Sequence, residues 1–206
     1  MARIEPAKPR GLDPVRRLTR WYTKRAYGRT MEPAEVWAHR RGLLLGISAA
    51  GFAVDKSRVL PARLKELAML RSAQITECEW CLDFGSMLAQ SAGVPAEDLR
   101  ELSRWRTSAR FDELDRLVLE YAEGMTRTPV QVSDELFARL RAHFDERQIV
   151  QLTMTIALEN LYNRSNHALG ITSQGFSDGM YCVVPDRSAN LNGDAAQQVE
   201  SVGLGS

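Results

Sequence analysis

Two cysteines two residues apart, Cys78-Glu79-Trp80-Cys81, are the side chains best suited to chemistry in this chain, and Glu66 stands twelve positions before them. A pair at that spacing serves dithiol–disulfide exchange, holds a metal, or sits inert in a core. The helix expected from 78 to 93 begins at the motif itself. Its first turn carries unpaired N–H groups and the positive end of the helix dipole. A sulfur there has its thiolate favoured, so its pKa falls and it becomes a nucleophile near neutral pH.

The metal reading is short of ligands. A structural zinc site takes four protein donors, and the chain has no second CxxC or HxxxH. His39, His143 and His167 are scattered singly, and Cys182 is an unpaired extra. No metal is expected. A thioredoxin-type motif would follow a strand, whereas a helix precedes this one. Two inert structural cysteines remain an open alternative.

Glu66 has Ala62, Met69, Leu70 and Ala73 at helical spacing around it. Spacing alone describes an ordinary surface glutamate. Turned inward, the same carboxyl would lose solvation, its pKa would rise, and it would suit proton transfer near neutrality. A third group lies in residues 159–167, where Glu159, Asn163, Asn166 and His167 fall along one side of a helix. Glu159, Asn163 and His167 are therefore candidates to line a site. The plainer expectation pairs Glu159 with Arg164 or Arg63, and leaves His167 at a helix C-terminus, matched to the dipole.

The elements that must position these groups are all helical, about seven to eight of them. Asp13 caps a first helix with Pro14 at its first position, ending at Gly28. A second starts near Pro33 and runs through Val36, Trp37, Leu44, Ile47 and Phe52. Pro61 opens a third, to Thr76, with Leu60, Leu64, Leu67, Leu70 and Ile75 at core spacing. The motif helix is the fourth. A fifth starts at Pro95 and passes Leu99, Leu102 and Trp105. A sixth spans roughly 111–125, and Ser133 caps a seventh. Asp145 and Gln148 form a capping box for a helix that reaches Gly170 and, apolar on most faces, is expected at the centre. Only residues 181–184 hint at a strand. The organisation expected is a basic N-terminal arm or helix at 1–32, a helical domain at 33–175, and an irregular tail at 176–206.

Charge is unevenly spread. Residues 1–31 carry nine Lys/Arg against Glu5 and Asp13, a net +7 in a chain whose total is +1. A solvated or subunit-covering arm is the plainer reading, and neither a nucleic-acid nor a membrane partner is expected. The most apolar run, 42–54, is too short to span a bilayer. The charged N-terminus lacks a signal-peptide core, so a cytoplasmic location is expected.

Glu66, eleven intervening residues and then Cys78-x-x-Cys81 resembles the core motif of the carboxymuconolactone decarboxylase and alkylhydroperoxidase (AhpD-like) family. Asp83-Phe84-Gly85-Ser86 and the stretch from Glu159-Asn160-Leu161-Tyr162-Asn163-Arg164 to Ala168-Leu169-Gly170-Ile171 look like one subgroup of it. The resemblance covers roughly residues 33–175. It implies an AhpD-like all-α bundle assembled as a homotrimer or hexamer. It also implies a thiol peroxidase: Cys81 attacks a small hydroperoxide, Cys78 resolves the sulfenic acid to a disulfide, and Glu66 relays protons. No cofactor is implied, and electrons would come from a thioredoxin-like or lipoyl-bearing protein. Two relay histidines of the hydroperoxidase pattern are Trp80 and Gly85 here. That departure leaves a second reading open, a relative without peroxidase turnover: a lyase- or decarboxylase-like protein, or a redox sensor.

Overall fold

The computed structural model describes residues 2–8 and 13–186, and among these the regular elements are all helices. Helix α1 (Pro14–Tyr27) is capped by Asp13, whose side chain accepts from the Arg16 N–H, and closes on Gly28 in the left-handed region. It is more than an arm. Buried Arg16 binds Glu35 of α2 at 2.6 Å, and Tyr27 packs edge-on against Phe84.

The expected second helix is two helices, α2 (Glu32–Trp37) and α3 (Arg41–Lys56). The polar run His39-Arg40-Arg41 offers nothing to bury. The backbone turns there instead, with N–H of His39 and Arg40 bonded to the carbonyls of Val36 and Trp37. Similarly, the expected fifth helix is a short α6 (Ala96–Arg100) followed by a 3₁₀ turn at Leu102–Arg104.

Helix α4 (Ala62–Thr76), not the last helix, is the centre. It is buried on nearly every face and packs against α5 (Glu79–Ser91), α7 (Glu113–Thr126) and α9 (Glu146–Leu169). One apolar cluster gathers Leu67, Leu70 and Ala73 of α4 around Cys78, Cys81 and Leu82. A second joins Leu64 and Ala68 to Val118, Leu140 of α8 (Asp134–His143), Leu152 and Ile156. Helix α9 buries one face only, leaving Val150, Met154 and Leu161 exposed. Its capping box is formed as expected: Asp145 accepts from Gln148 N–H, and Gln148 from Asp145 N–H.

Between α4 and α5 the chain reverses within two residues. Glu77 adopts φ 54°, ψ 33°, a left-handed conformation that costs a residue with a Cβ about 1–2 kcal/mol. The turn places Cys78 at the N-cap of α5.

The segment 171–186, which includes the first described part of the tail expected at 176–206, has no helix or strand but is tied down. No strand forms at 181–184. Its polar backbone is satisfied by side chains instead: Ser86 Oγ accepts from Val183 N–H, and Gln90 bonds Tyr181 at both N–H and carbonyl. Arg71, fully buried, reaches Asp186 at 2.8 Å and Glu123 at 2.9 Å. The remainder of the expected tail, 187–206, lies outside the described residues. Among the described residues no helix is long and apolar enough to cross a membrane.

Candidate redox site

Cys78 and Cys81 are joined in a disulfide, with Cα atoms 5.3 Å apart. Cys78 is the N-cap of α5, where its sulfur accepts the Cys81 N–H at 3.3 Å; Cys81 sits in the first turn. Both are buried, 2% and 5% exposed. The second sulfur has a donor of its own: Asn166 Nδ2 of α9 lies 3.5 Å from Cys81 Sγ. A hydrogen bond of this kind favours the thiolate.

Glu66 is turned inward. Burial, opposed by Lys65 and reinforced by Asp55, pushes its carboxyl up to about 7. Lys65 reaches it only loosely, at 3.7 Å, and Oε2 has no hydrogen-bond partner among the described residues. Glu159 enters from α9. Burial and the neighbouring Glu66 charge push it up to about 8. The expected partners of Glu159 are engaged elsewhere: Arg63 with Asp98 and Asp115, Arg164 with Thr126 and Thr128. The pairing expectation therefore fails, because the two arginines face other helices.

Asn163 follows Glu159 by one turn on the same face and is fully buried, with both amide atoms unpartnered among the described residues. Asn166 continues that face to the sulfur. His167, one position further, points out and is exposed. A helical step of about 100° separates it from Asn166, so it does not line this site. Asn166 was legible as part of the polar stripe. Its contact with a sulfur 85 positions away was not.

Asp83 builds the wall. Its buried carboxylate accepts N–H bonds from Gln174, Phe176 and Ser177 and the Ser177 hydroxyl. Burial would raise its pKa, but these donors outweigh burial and hold it below the usual carboxylate range. The segment so clamped packs Phe176 on Phe84 (ring centroids 5.0 Å), while Trp80 stacks on Phe84 at 4.9 Å and donates to Gln174 Oε1. Trp80, in a relay-histidine place, is thus a wall residue. Gly85 is closed as well: a Cβ there would stand 3.0 Å from Leu70 Cδ2.

Comparisons with known proteins place the chain in a family and show solved structures of the same fold. The model of the carboxymuconolactone decarboxylase family matches residues 43–124. The uncharacterized protein YnjA of Escherichia coli K12 is 34% identical over 168 residues, spanning 81% of this chain and 90% of its own. The chain belongs to the carboxymuconolactone decarboxylase family. Two solved structures share this member's fold. The debrominase Bmp8 has a TM-score of 0.74 at 19% identity, over 83% of this chain and 91% of its own. An uncharacterized peroxidase-related protein with an alkylhydroperoxidase AhpD core, from Ralstonia eutropha JMP134, has 0.75 at 17%, over 85% and 94%.

The two raised carboxyls set a pH dependence for this family member. Each holds its proton more tightly folded than unfolded, so the folded state binds more protons and stability falls as pH rises. The decline should start in the ordinary carboxylate range and be complete above about 8. Glu159→Gln should flatten it and stabilise the protein at pH above 8, by on the order of a few kcal/mol. Urea unfolding across pH 5–9, about the range of these titrations, measures it; an unchanged profile refutes it.

Proposed function

We propose that this family member is a thiol oxidoreductase that reduces small hydroperoxides through a Cys78/Cys81 dithiol–disulfide cycle. Cys81 attacks the peroxide oxygen, Cys78 resolves the sulfenic acid, and Glu66 relays protons. The observation that carries the reading is the placement of Asn166, Asn163 and Glu159 on one face of α9, which ends at Cys81 Sγ. A sulfur with its own donor, at a helix N-terminus and backed by acids that titrate near neutrality, suits reversible sulfenic acid chemistry. Electrons would come from a thioredoxin-like or lipoyl-bearing dithiol protein in the cytoplasm, with no cofactor. The assembly is a homo-oligomer, trimer or hexamer: α3 exposes Leu43, Leu45 and Phe52, apolar surface that a second copy would cover. Sedimentation at micromolar concentration reads this directly; a monomer there removes the oligomer.

The test of the activity is a titration. Reduced protein, with Cys182→Ser removing the third thiol, is mixed with an organic hydroperoxide. Loss of both thiols per peroxide and recovery of the Cys78–Cys81 disulfide are expected. No thiol loss sinks the proposal.

Gly85 favours a second reading, in which the same thiols act on a different small electrophile. A cysteine-to-alanine variant of Bmp8 holds 2,3,4-tribromopyrrole, so a halogenated ring is one candidate substrate. Gly85→His should not restore a peroxidase relay, because Leu70 fills the space. It should cost about 1–3 kcal/mol of stability from overpacking, read by thermal unfolding, with no gain in peroxide turnover. A stable Gly85→His protein with faster turnover would reverse this account of the position.

A further inference from the structure

We propose that Glu159 and Glu66 together form a buried proton store that fills when the Cys78–Cys81 disulfide is reduced and empties when Cys81 attacks its substrate. This deepens the thiol-oxidoreductase reading and rests on it.

The two carboxyls come from different helices, α4 and α9, which pack together, and each is buried, 6% and 5% exposed, close enough that the charge on Glu66 raises Glu159. The charges facing Glu66 are Lys65 on its own helix and Asp55 on α3, and Tyr27 of α1 feels its field. Glu159 feels the charge of Glu66, and Tyr162 on the same helix feels that of Glu159. Lys65 is therefore the cation in this set, and its Nζ is shared with the carbonyl of Asp55 at 3.2 Å. Two carboxyls so placed cannot both ionise at low cost. From Glu159 the polar face continues through Asn163, whose amide has no partner among the described residues, to Asn166 on the sulfur. A negative charge on Cys81 adds to the field on both acids and favours filling the pair.

The cycle balances. A donor dithiol reduces the disulfide by two electrons and becomes a disulfide itself, leaving Cys78 as thiol, Cys81 as thiolate and one proton on the carboxyl pair. Cys81 sulfur then attacks the hydroperoxide: an S–O bond forms, the O–O bond breaks, and the stored proton goes to the departing alkoxide. The Cys78 thiol displaces hydroxide from the sulfenic acid, and its proton leaves with that oxygen as water. The sum is hydroperoxide plus dithiol giving alcohol, water and disulfide.

Reduction-minus-oxidation infrared difference spectra test the store without peroxide. At about pH 8, where the pair is partly ionised, reduction of the Cys182→Ser protein by a phosphine should raise a protonated-carboxyl carbonyl band, shifted in heavy water. Glu159→Gln and Glu66→Gln should each abolish or halve it, and Glu159→Asp should keep it. Circular dichroism verifies that each variant folds. In the same samples, alkylation of Cys81 should show its apparent pKa falling by roughly one unit in Glu159→Gln, since one carboxylate no longer opposes the thiolate. No carboxyl band in the wild type, or a band untouched by Glu159→Gln, overturns the store. A carboxyl band in a protein that leaves peroxide alone supports the store and sinks only the peroxidase reading.

Discussion

Replacing Cys81 with serine should bring dithiol-dependent peroxide consumption down to background, a fall on the order of 10³-fold or more. A serine hydroxyl at the same place has no thiolate to offer, and no oxygen-transfer product that Cys78 could resolve. Cys78→Ser should behave differently. Cys81 would still react once, and its sulfenic acid would persist and be trapped by a dimedone-type reagent, with turnover lost for want of a resolving thiol. Glu66→Gln should retain both thiols and the fold but lose about 10²-fold in rate, the scale of a single positioned acid–base group. Peroxide consumption under a dithiol couple, with mass spectrometry of the trapped cysteine, separates the three. Turnover that survives Cys81→Ser removes the mechanism.

The second large effect is on stability. Glu123→Ala should destabilise the protein by about 3–5 kcal/mol, because it removes a buried carboxylate that several arginines share and leaves the buried Arg71 guanidinium with Asp186 in place of two carboxylate partners. Glu123 also receives Arg127 at 2.6 Å and Arg106 at 3.1 Å. Burial works against its ionisation, but the arginines win and hold its carboxyl down at about 2. The sign follows: its contribution is present above the unfolded carboxylate range and is lost as pH falls toward 2. The triple variant Arg71→Met, Glu123→Leu, Asp186→Asn should cost less than Glu123→Ala alone, since the buried charges of the network then leave together. Urea midpoints at constant m decide it. A loss below about 1 kcal/mol for Glu123→Ala would mean the network is solvated in solution.

Local signals in the sequence carried the helices. Asp13 before Pro14, Ser133, and the Asp145/Gln148 pair each act within one turn, and each caps the helix it was expected to cap. Cys78 at an N-cap was legible for the same reason. Where a decision depended on distant partners, spacing could not make it. Glu66 looks like a surface residue until α7 and α9 close over α4. Glu159 looks paired until Arg63 is found bonded to Asp98 and Asp115, 35 and 52 positions from it. The apolar composition of helix α9 points to the centre of the fold, yet one apolar side stays open. Composition registers how greasy a helix is, not which neighbours arrive to cover it.

The Asp83 clamp has a consequence for how the molecule is made. Its four donors lie 91 to 94 positions further along the chain. During synthesis both cysteines, their helix and the carboxylate therefore emerge long before the segment that walls them in. Until Ser177 arrives, Asp83 and the Trp80–Phe84 stack stand in water, and the sulfurs meet whatever oxidant or reductant is nearby. The closed surroundings of the two sulfurs are thus acquired late in synthesis, when residues 174–177 dock on Asp83.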